Sequence, residues 1–214
     1  MTARPYPVVL LLEGRKVLVV GGGTVAESKI RGLLEAGAVV HVVAEQVSRG
    51  IRTLAVSWEE RPYAAGEAAA YRFVIAATDD PEVNRRVFED GEAAGVFVNA
   101  ADDPEHCSAT LPARLHRGPL LVTVSTSGHS PALAGWLRDR LADEVGPEYE
   151  TLLELLAEAR GALLANGERR RVADWRRALD SGMLDDIRAG FPDKASNRLR
   201  AALRPDGSAS SDDP

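Results

Sequence analysis

Short apolar runs alternate with amphipathic segments through the first hundred residues. The runs are rich in β-branched residues and end at glycines or polar residues, which predicts buried strands. They are Lys16–Val20, Val39–Val43, Ala55–Trp58, Phe73–Ala77 and Val96–Ala100. Helical periodicity lies between them over Val25–Ala36 and Pro81–Ala94. Because strands that alternate with helices form parallel sheets through right-handed crossovers, the pattern predicts an α/β fold with a Rossmann-like parallel sheet.

The pattern changes after residue 102. Ser108–Leu115 and Leu120–Ser125 flank a turn signal of His-Arg-Gly-Pro, which predicts two strands joined as a hairpin. Ser130 followed by Pro131 is a favourable helix start, with serine as the cap and proline at the first helical position. From there to about Arg204 the chain is predicted to be helical. The expected breaks lie near residues 146–147, 166–167 and 190–192.

A glycine-rich segment joins the first predicted strand to the first predicted helix. Its sequence, GGGTVA at 21–26, matches the G-x-G-x-x-G/A fingerprint of dinucleotide-binding folds. Gly21 permits the sharp turn, Gly23 lets the backbone approach a pyrophosphate, and Ala26 is small enough for the helix to pack on the strand. The N–H groups at the helix start then face the phosphates. Three glycines that only make a turn are the alternative.

An acidic residue follows the second predicted strand at the distance that the fingerprint requires. Glu45 can accept hydrogen bonds from the adenosine ribose, and its charge disfavours a 2′-phosphate. At the end of the fourth strand, small residues before Thr78 leave room for a nicotinamide. A solvated acid at Glu45, and an ordinary strand end with Asp79 or Asp80 capping the next helix, are the alternatives. We assign the cofactor site to Gly21, Gly22, Gly23, Thr24, Val25, Glu45, Gln46 and Thr78.

Composition limits the classes of partner. The net charge of −6 over 214 residues argues against general nucleic-acid binding, which requires a clustered basic surface. No apolar segment is long enough to cross a bilayer, and the first residues lack the pattern of a signal peptide. Cys107 is the single cysteine, and the four histidines show no ligand spacing, so we expect no resident metal. These features fit a cytoplasmic protein without a membrane partner.

Three segments together resemble the precorrin-2 dehydrogenase and sirohydrochlorin ferrochelatase family, which forms the N-terminal part of siroheme synthases. They occur from about Val8 to Leu141 in the family's order, and the helical tail fits more loosely. The loop at 127–131 departs from the family, which often has glycine, lysine or threonine where this chain has His129. The segments are VVLLLEGRKVLVVGGGTVAESKIRGLLEAGA, VIAATDDPEVNRRV and VNAADDPEHCSATLPARLHRGPLLVTVSTSGHSPALAGWLRDRL.

The resemblance implies NAD-dependent oxidation of precorrin-2 to sirohydrochlorin by a homodimer. Some members also insert ferrous iron (Fe2+) to give siroheme, which the sequence leaves open here. The N-x-x-D-x-P match puts the family's functional aspartate on Asp102, with Asp103 as a turn residue. A carboxylate at the carboxyl end of a strand can act as a base beside the nicotinamide. Larger members continue into a methyltransferase, and we expect that activity to be absent.

The same resemblance suggests a division of the chain. We expect an NAD-binding domain at 1–113, a dimerisation region at 114–146, a helical domain at 147–204 and a disordered tail at 205–214. An apolar hairpin face supports dimerisation, because a small region cannot hide that much apolar surface alone. The face consists of Leu111, Leu115, Leu120, Val122 and Val124.

Two questions stay open at this level. The run Arg169–Arg171 with Arg176 and Arg177 either binds substrate carboxylates or is a solvated helix face, and Arg138 and Arg140 are rival candidates. A regulatory domain that senses NAD without chemistry, as in potassium-transport gating subunits, would share the glycine turn, and so would a dehydrogenase for another small molecule. The hairpin, the serine-rich loop and the helical tail favour the precorrin-2 dehydrogenase.

Overall fold

The computed structural model describes residues 4–101, 103–168 and 172–204, and the chain divides into two compact units. The first unit comprises the residues up to Leu111 together with Ser127–His129. The second comprises Pro112–Thr126 and the residues from Ser130 onward. The tail expected to be disordered, 205–214, lies outside the described residues. The finer division into four segments stays a prediction.

The first unit is a five-stranded, wholly parallel sheet with helices on its faces, as the alternation of strands and helices predicts. The strand order is β3-β2-β1-β4-β5, so the chain runs outward from β1 to β3 and then crosses to the other side. The direction of winding therefore reverses between β1 and β4. The elements are β1 (Lys16–Val20), α1 (Thr24–Glu35), β2 (Val39–Ala44), α2 (Arg49–Arg52), β3 (Ser57–Glu60), β4 (Phe73–Ala76), α3 (Pro81–Ala94) and β5 (Phe97–Ala100), with 3-10 turns at Glu67–Ala70 and Pro104–His106.

Alternating residues of the central strand build two cores, one on each face of the sheet. Val17 and Val19 face the core that includes Ile30 of α1, whereas Leu18 and Val20 face the core under α3. These four β1 residues are almost fully buried. Burial on both faces explains why the strand is a continuous apolar run and not an alternating one.

The second unit combines a hairpin with a helical region. Its strands pair antiparallel, and α4 packs against both of them. A separate core lies among the last four helices, with Met183 and Leu199 at its centre. In the part of the chain that the structure describes, no helix is long and apolar enough to span a membrane. The elements are β6 (Ala113–Arg117), β7 (Leu120–Val124), α4 (Pro131–Glu144), α5 (Glu148–Ala165), α6 (Val172–Leu179), α7 (Met183–Arg188) and α8 (Pro192–Ala202).

Most predicted boundaries agree within one residue, and the larger differences lie in β6, β3 and the helical region. Strand β6 begins at Ala113 and not at Ser108, because the N–H groups of Ser108 and Ala109 both donate to the Val98 carbonyl oxygen at 3.0 Å. Strand β3 lies two residues further along the chain than Ala55–Trp58. The helical region has a further break before Gly182, whose φ of +88° favours glycine.

Candidate functional site

The three glycines after β1 occupy different environments. Gly21 has a φ of +128°, and a Cβ there would lie 2.2 Å from the Ala77 carbonyl oxygen. A Cβ on Gly22 would lie 1.8 Å from the Gln46 carbonyl oxygen. At Gly23, by contrast, no neighbouring heavy atom of the described residues lies within 4 Å of the Cβ position. Packing therefore requires the first two glycines, whereas the third leaves open space in front of the turn.

Helix α1 begins at this turn, and no described side chain caps its first N–H groups. Gly23 is the N-cap, and its carbonyl oxygen accepts the Glu27 N–H at 3.0 Å. Thr24 and Val25 are exposed, whereas Ala26 is buried in the core. An exposed helix start presents backbone donors and the positive end of the helix dipole. The geometry therefore fits the phosphates of a dinucleotide.

The loop after β2 carries Glu45 and Gln46, both exposed. It lies directly on the glycine turn, since the Ser48 N–H donates to the Gly22 carbonyl oxygen at 3.0 Å. Ser48 also caps α2 by accepting the Ile51 N–H at 3.2 Å. The fold thus brings the predicted ribose-binding acid and the predicted phosphate turn to the same edge of the sheet.

Thr78 lies on the other side of the switch point, in the turn from β4 to α3. The buried Asn84 accepts from the Thr78 N–H at 3.1 Å and from its hydroxyl at 2.8 Å, and donates to its carbonyl oxygen at 3.0 Å. Asp80 caps α3 by accepting the Glu82 N–H, as the alternative interpretation of the aspartates predicted. Asn84 was not among the predicted site residues, although a polar residue on the inward face of a predicted helix indicates such a role.

The predicted base, Asp102, lies outside the described residues. Next to it, the Cys107 thiol accepts the Ala100 N–H and donates toward the Asp103 carbonyl oxygen, each at 3.2 Å. The Asp103 carboxylate contacts His106 Nδ1 at 2.6 Å, and this bond holds the pKa of Asp103 below its ordinary value. Burial raises the pKa of the Cys107 thiol, so that it stays protonated at neutral pH.

The other polar candidates have structural contacts. His41 Nδ1 lies 2.9 Å from Ser57 Oγ, in keeping with the structural role expected of a histidine in a strand. The Arg140 guanidinium stacks over the Trp136 ring at 5.0 Å. The run Arg169–Arg171 lies outside the described residues. Among the residues that the structure describes, no three His, Cys, Asp or Glu side chains are grouped to hold a metal ion.

Comparison with protein families gives two matches. A family model described as NAD(P)-binding matches residues 8–113, and one described as sirohaem biosynthesis protein central matches residues 117–144. The two matches are adjacent and together cover more than half of the chain.

Individual relatives agree with these matches. The siroheme synthase of Nitrosococcus oceani is 36% identical over 203 residues, and that of Azotobacter vinelandii is 38% identical over 199 residues. These matches cover 92% and 90% of this chain but only 43% of each relative, so the chain spans less than half the length of these curated relatives. A solved structure, "SirC, precorrin-2 dehydrogenase", is similar along its whole length, with 27% identity, 92% coverage of this chain and a TM-score of 0.70.

An open parallel sheet with a glycine-rich turn at its switch point defines a dinucleotide-binding protein of the Rossmann type. The matched family model makes the nucleotide NAD or NADP. Since the relatives and both family matches agree, the chain belongs to the siroheme synthase family and corresponds to its NAD(P)-binding and central parts. The resemblance drawn from the sequence motifs is thereby confirmed.

Proposed function

We propose that this chain oxidises precorrin-2 to sirohydrochlorin with NAD as the hydride acceptor. The observation that carries the proposal is the glycine turn at the switch point of a chain that is similar to SirC, precorrin-2 dehydrogenase, along that protein's whole length. A binding fold alone would fit a sensor equally well. The additional match of residues 117–144 to the central part of sirohaem biosynthesis proteins favours the enzyme.

The residues that would hold NAD are the turn Gly21–Val25 and the loop Glu45–Gln46, with the Thr78 turn near the nicotinamide. The open space at Gly23 and the exposed start of α1 fit a pyrophosphate. When bound, NAD supplies the acceptor for a hydride from the substrate. The protein's own contributions are to orient the cofactor and to provide a base.

Asp102 is the proposed base. Oxidation of precorrin-2 releases a proton from the ring system in addition to the hydride, and ligands of this fold bind outside the carboxyl ends of the strands, of which β5 is one. Among the described neighbours, the Cys107 thiol accepts the Ala100 N–H, and Asp103 contacts His106. If the chain also inserts Fe2+, two pyrrole N–H protons must leave, and the same carboxylate could accept them.

NAD is the proposed cofactor in preference to NADP. Glu45 follows β2 where it can accept hydrogen bonds from the adenosine ribose hydroxyls, and its charge repels a 2′-phosphate. A Glu45→Ala variant should therefore bind NAD roughly 10–100-fold more weakly, since a hydrogen bond to a charged group contributes about 1.5–3 kcal/mol. The ratio of the variant's affinity for NAD to its affinity for NADP should fall as well. Wild-type affinities that favour NADP would contradict the assignment.

A cytoplasmic homodimer is the proposed state of the protein. Among the residues that the structure describes, the hairpin is a sheet of only two strands with no third strand at either edge, and a two-stranded sheet is marginally stable by itself. Association of two copies through the hairpin and α4 would cover these edges. The single cysteine fits a reducing compartment.

The test is to incubate the purified protein with precorrin-2 and NAD, with and without Fe2+, and to record absorption spectra. We expect NADH at 340 nm with the spectrum of sirohydrochlorin, and a further change with Fe2+ if the chain is also a chelatase. NAD binding without NADH formation would instead identify a sensor. The Asp102→Ala variant is the control for background oxidation.

A further inference from the structure

Two charged side chains hold both polar groups of one backbone residue in the loop after β2. Glu60, the last residue of β3, accepts the Val47 N–H at 3.0 Å. Arg52, the last residue of α2, donates from Nε to the Val47 carbonyl oxygen at 3.1 Å. A second guanidinium nitrogen of Arg52 contacts the same Glu60 oxygen. The three residues form a closed ring, which we call the Val47 clamp.

The Val47 clamp lies next to the cofactor site along the chain. Val47 directly follows Gln46 and precedes Ser48, whose N–H binds the carbonyl oxygen of Gly22. The Gln46 carbonyl oxygen occupies the space that a side chain on Gly22 would need. The loop is thus pinned to the glycine turn on one side and to β3 on the other. Any shift of Val47 would move Glu45 and Gln46 relative to the turn.

The clamp also determines where the charge of Arg52 lies. Its guanidinium stacks over the Trp58 ring at 4.5 Å and pairs with Glu60. Between Glu45 and Glu60 the sequence has two basic residues, Arg49 and Arg52. An arginine after the second strand is the kind of group that accommodates a 2′-phosphate in folds of this type. Glu60 therefore neutralises one of the two cations that could serve a phosphorylated ribose.

We propose that Glu60 is a positioning and specificity-determining residue for the dinucleotide cofactor: it holds the ribose loop against the glycine turn and withholds Arg52 from a 2′-phosphate. The proposal rests on the proposed cofactor function. The Val47 N–H and the Arg52 guanidinium also lower the pKa of Glu60, so the carboxylate is charged at neutral pH. Val47 itself is buried, and loss of Glu60 would leave its N–H without its acceptor.

The neighbouring acid provides a matched control. Glu59 is exposed, lies one position earlier on the same strand and pairs with Arg61 at 2.6 Å. Glu60→Ala should raise the Kd for NAD by roughly tenfold and raise KM without a comparable change in kcat. Glu60→Gln keeps an oxygen acceptor for the Val47 N–H and should recover most of the NAD affinity. Glu59→Ala should leave Kd and KM near the wild-type values.

Cofactor choice separates this role from a merely structural one. Glu60→Ala should lose affinity for NADP by less than for NAD, because Arg52 loses its ion-pair partner and its charge becomes available to a 2′-phosphate. In the double variant Glu60→Ala/Arg52→Ala, the affinities for NADP and NAD should fall by the same factor. In Glu60→Ala/Arg49→Ala, the affinity for NADP should still fall by less than that for NAD. All affinities are measured on the full chain by calorimetry, with the melting temperature of each apo variant recorded.

Failure of this inference can be distinguished from failure of the proposed function. If the wild-type protein binds neither NAD nor NADP, the proposed function fails and this inference fails with it. If the wild-type protein binds NAD but Glu60→Ala and Glu59→Ala bind it equally well, only the inference is overturned. An equal loss for Glu60→Ala and Glu60→Gln with no change in the ratio of NAD to NADP affinity would also overturn it.

Discussion

The two units of this protein bury their apolar residues to different degrees. In the first unit, every residue of β4 and four of the five residues of β1 are buried. In the second unit, the hairpin buries only Leu115, and α4 buries only Ala134. The hairpin face that the sequence suggested as a dimer surface lies partly against α4, yet Leu120, Val122 and Val124 remain half-buried. The hairpin and α4 therefore lack the buried core that both the parallel sheet and the last four helices have, which fits the homodimer proposed above.

The polar groups inside the two units also differ. In the first unit the buried amides of Asn84 and Asn99 hold turns at the edge where the cofactor would bind. In the second unit the buried Asp186 binds the charged groups of Lys194 and Arg198. Amides that satisfy backbone groups fix loop geometry, and ion pairs hold helices together. Substitution of the two buried amides should therefore affect the cofactor site, and substitution of Asp186 should affect the stability of the helical region.

The largest effect is expected from Gly23→Val, which should abolish NAD binding. The side chain would enter space that the described protein atoms leave open, so the fold should persist while NAD binding is lost. Gly22→Val should behave in the opposite way, because its Cβ would collide with the Gln46 backbone and destabilise the unit. Circular dichroism and calorimetric titration separate the two. A Gly23→Val protein with normal NAD affinity would show that the glycine turn has been misassigned.

Asp102→Ala should cause the next largest effect, which is a loss in the rate of dehydrogenation. Loss of a positioned base typically costs on the order of 10²–10⁴-fold in rate, and NAD affinity should persist because the phosphate turn is a different loop. Asp103→Ala should be milder, since Asp103 binds His106 within the turn. Steady-state rates for both variants are compared with separately measured NAD affinities. If only Asp103→Ala lost activity, the alignment of this loop would be wrong by one residue.

The incomplete burial of the hairpin and α4 predicts a dimer in solution. Leu133 and Trp136 are exposed and three positions apart on α4, so they share one helix face. Replacing both by glutamate should convert the dimer to a monomer in light scattering at micromolar concentration. Val39→Glu, at an equally exposed apolar position in the first unit, should leave the dimer intact. If the wild-type protein were a monomer, the incomplete burial of the hairpin and α4 would not reflect a dimer contact, and the prediction would be wrong.

The smallest effect is expected from Asp186→Asn, which should lower the melting temperature without affecting the cofactor site. Hydrogen bonds from Lys194 and Arg198 hold the pKa of Asp186 below its ordinary value, so its ionised form stabilises the fold at neutral pH. This contribution is present above the ordinary pKa and is lost as the pH falls through the lowered value. The variant should melt at a lower temperature at pH 7, and the difference should shrink as the pH falls below the ordinary pKa of an aspartate. A difference that does not depend on pH would show that the charge is not responsible.

Much of the first unit could be predicted from local patterns. Its buried strands are continuous apolar runs, and the helix Pro81–Ala94 has the predicted bounds because Asp80 caps it and Gly95 ends it in the left-handed region. The glycine fingerprint indicated the turn because its requirements are local: backbone conformation and small side chains. By contrast, the short helix Arg49–Arg52 was not predicted, since four residues carry no periodic signal.

The sequence by itself determined the parallel α/β class, the glycine turn, the acid after the second strand and the family, because each depends on neighbouring residues or on the order of motifs. Only the tertiary structure decided what distant residues do to one another. It showed that Asn84 holds Thr78, that Glu60 and Arg52 hold Val47, and that Val98 takes the hydrogen bonds that would have lengthened the hairpin. Such contacts depend on how strands are ordered across a sheet, and no local pattern of residues specifies that order.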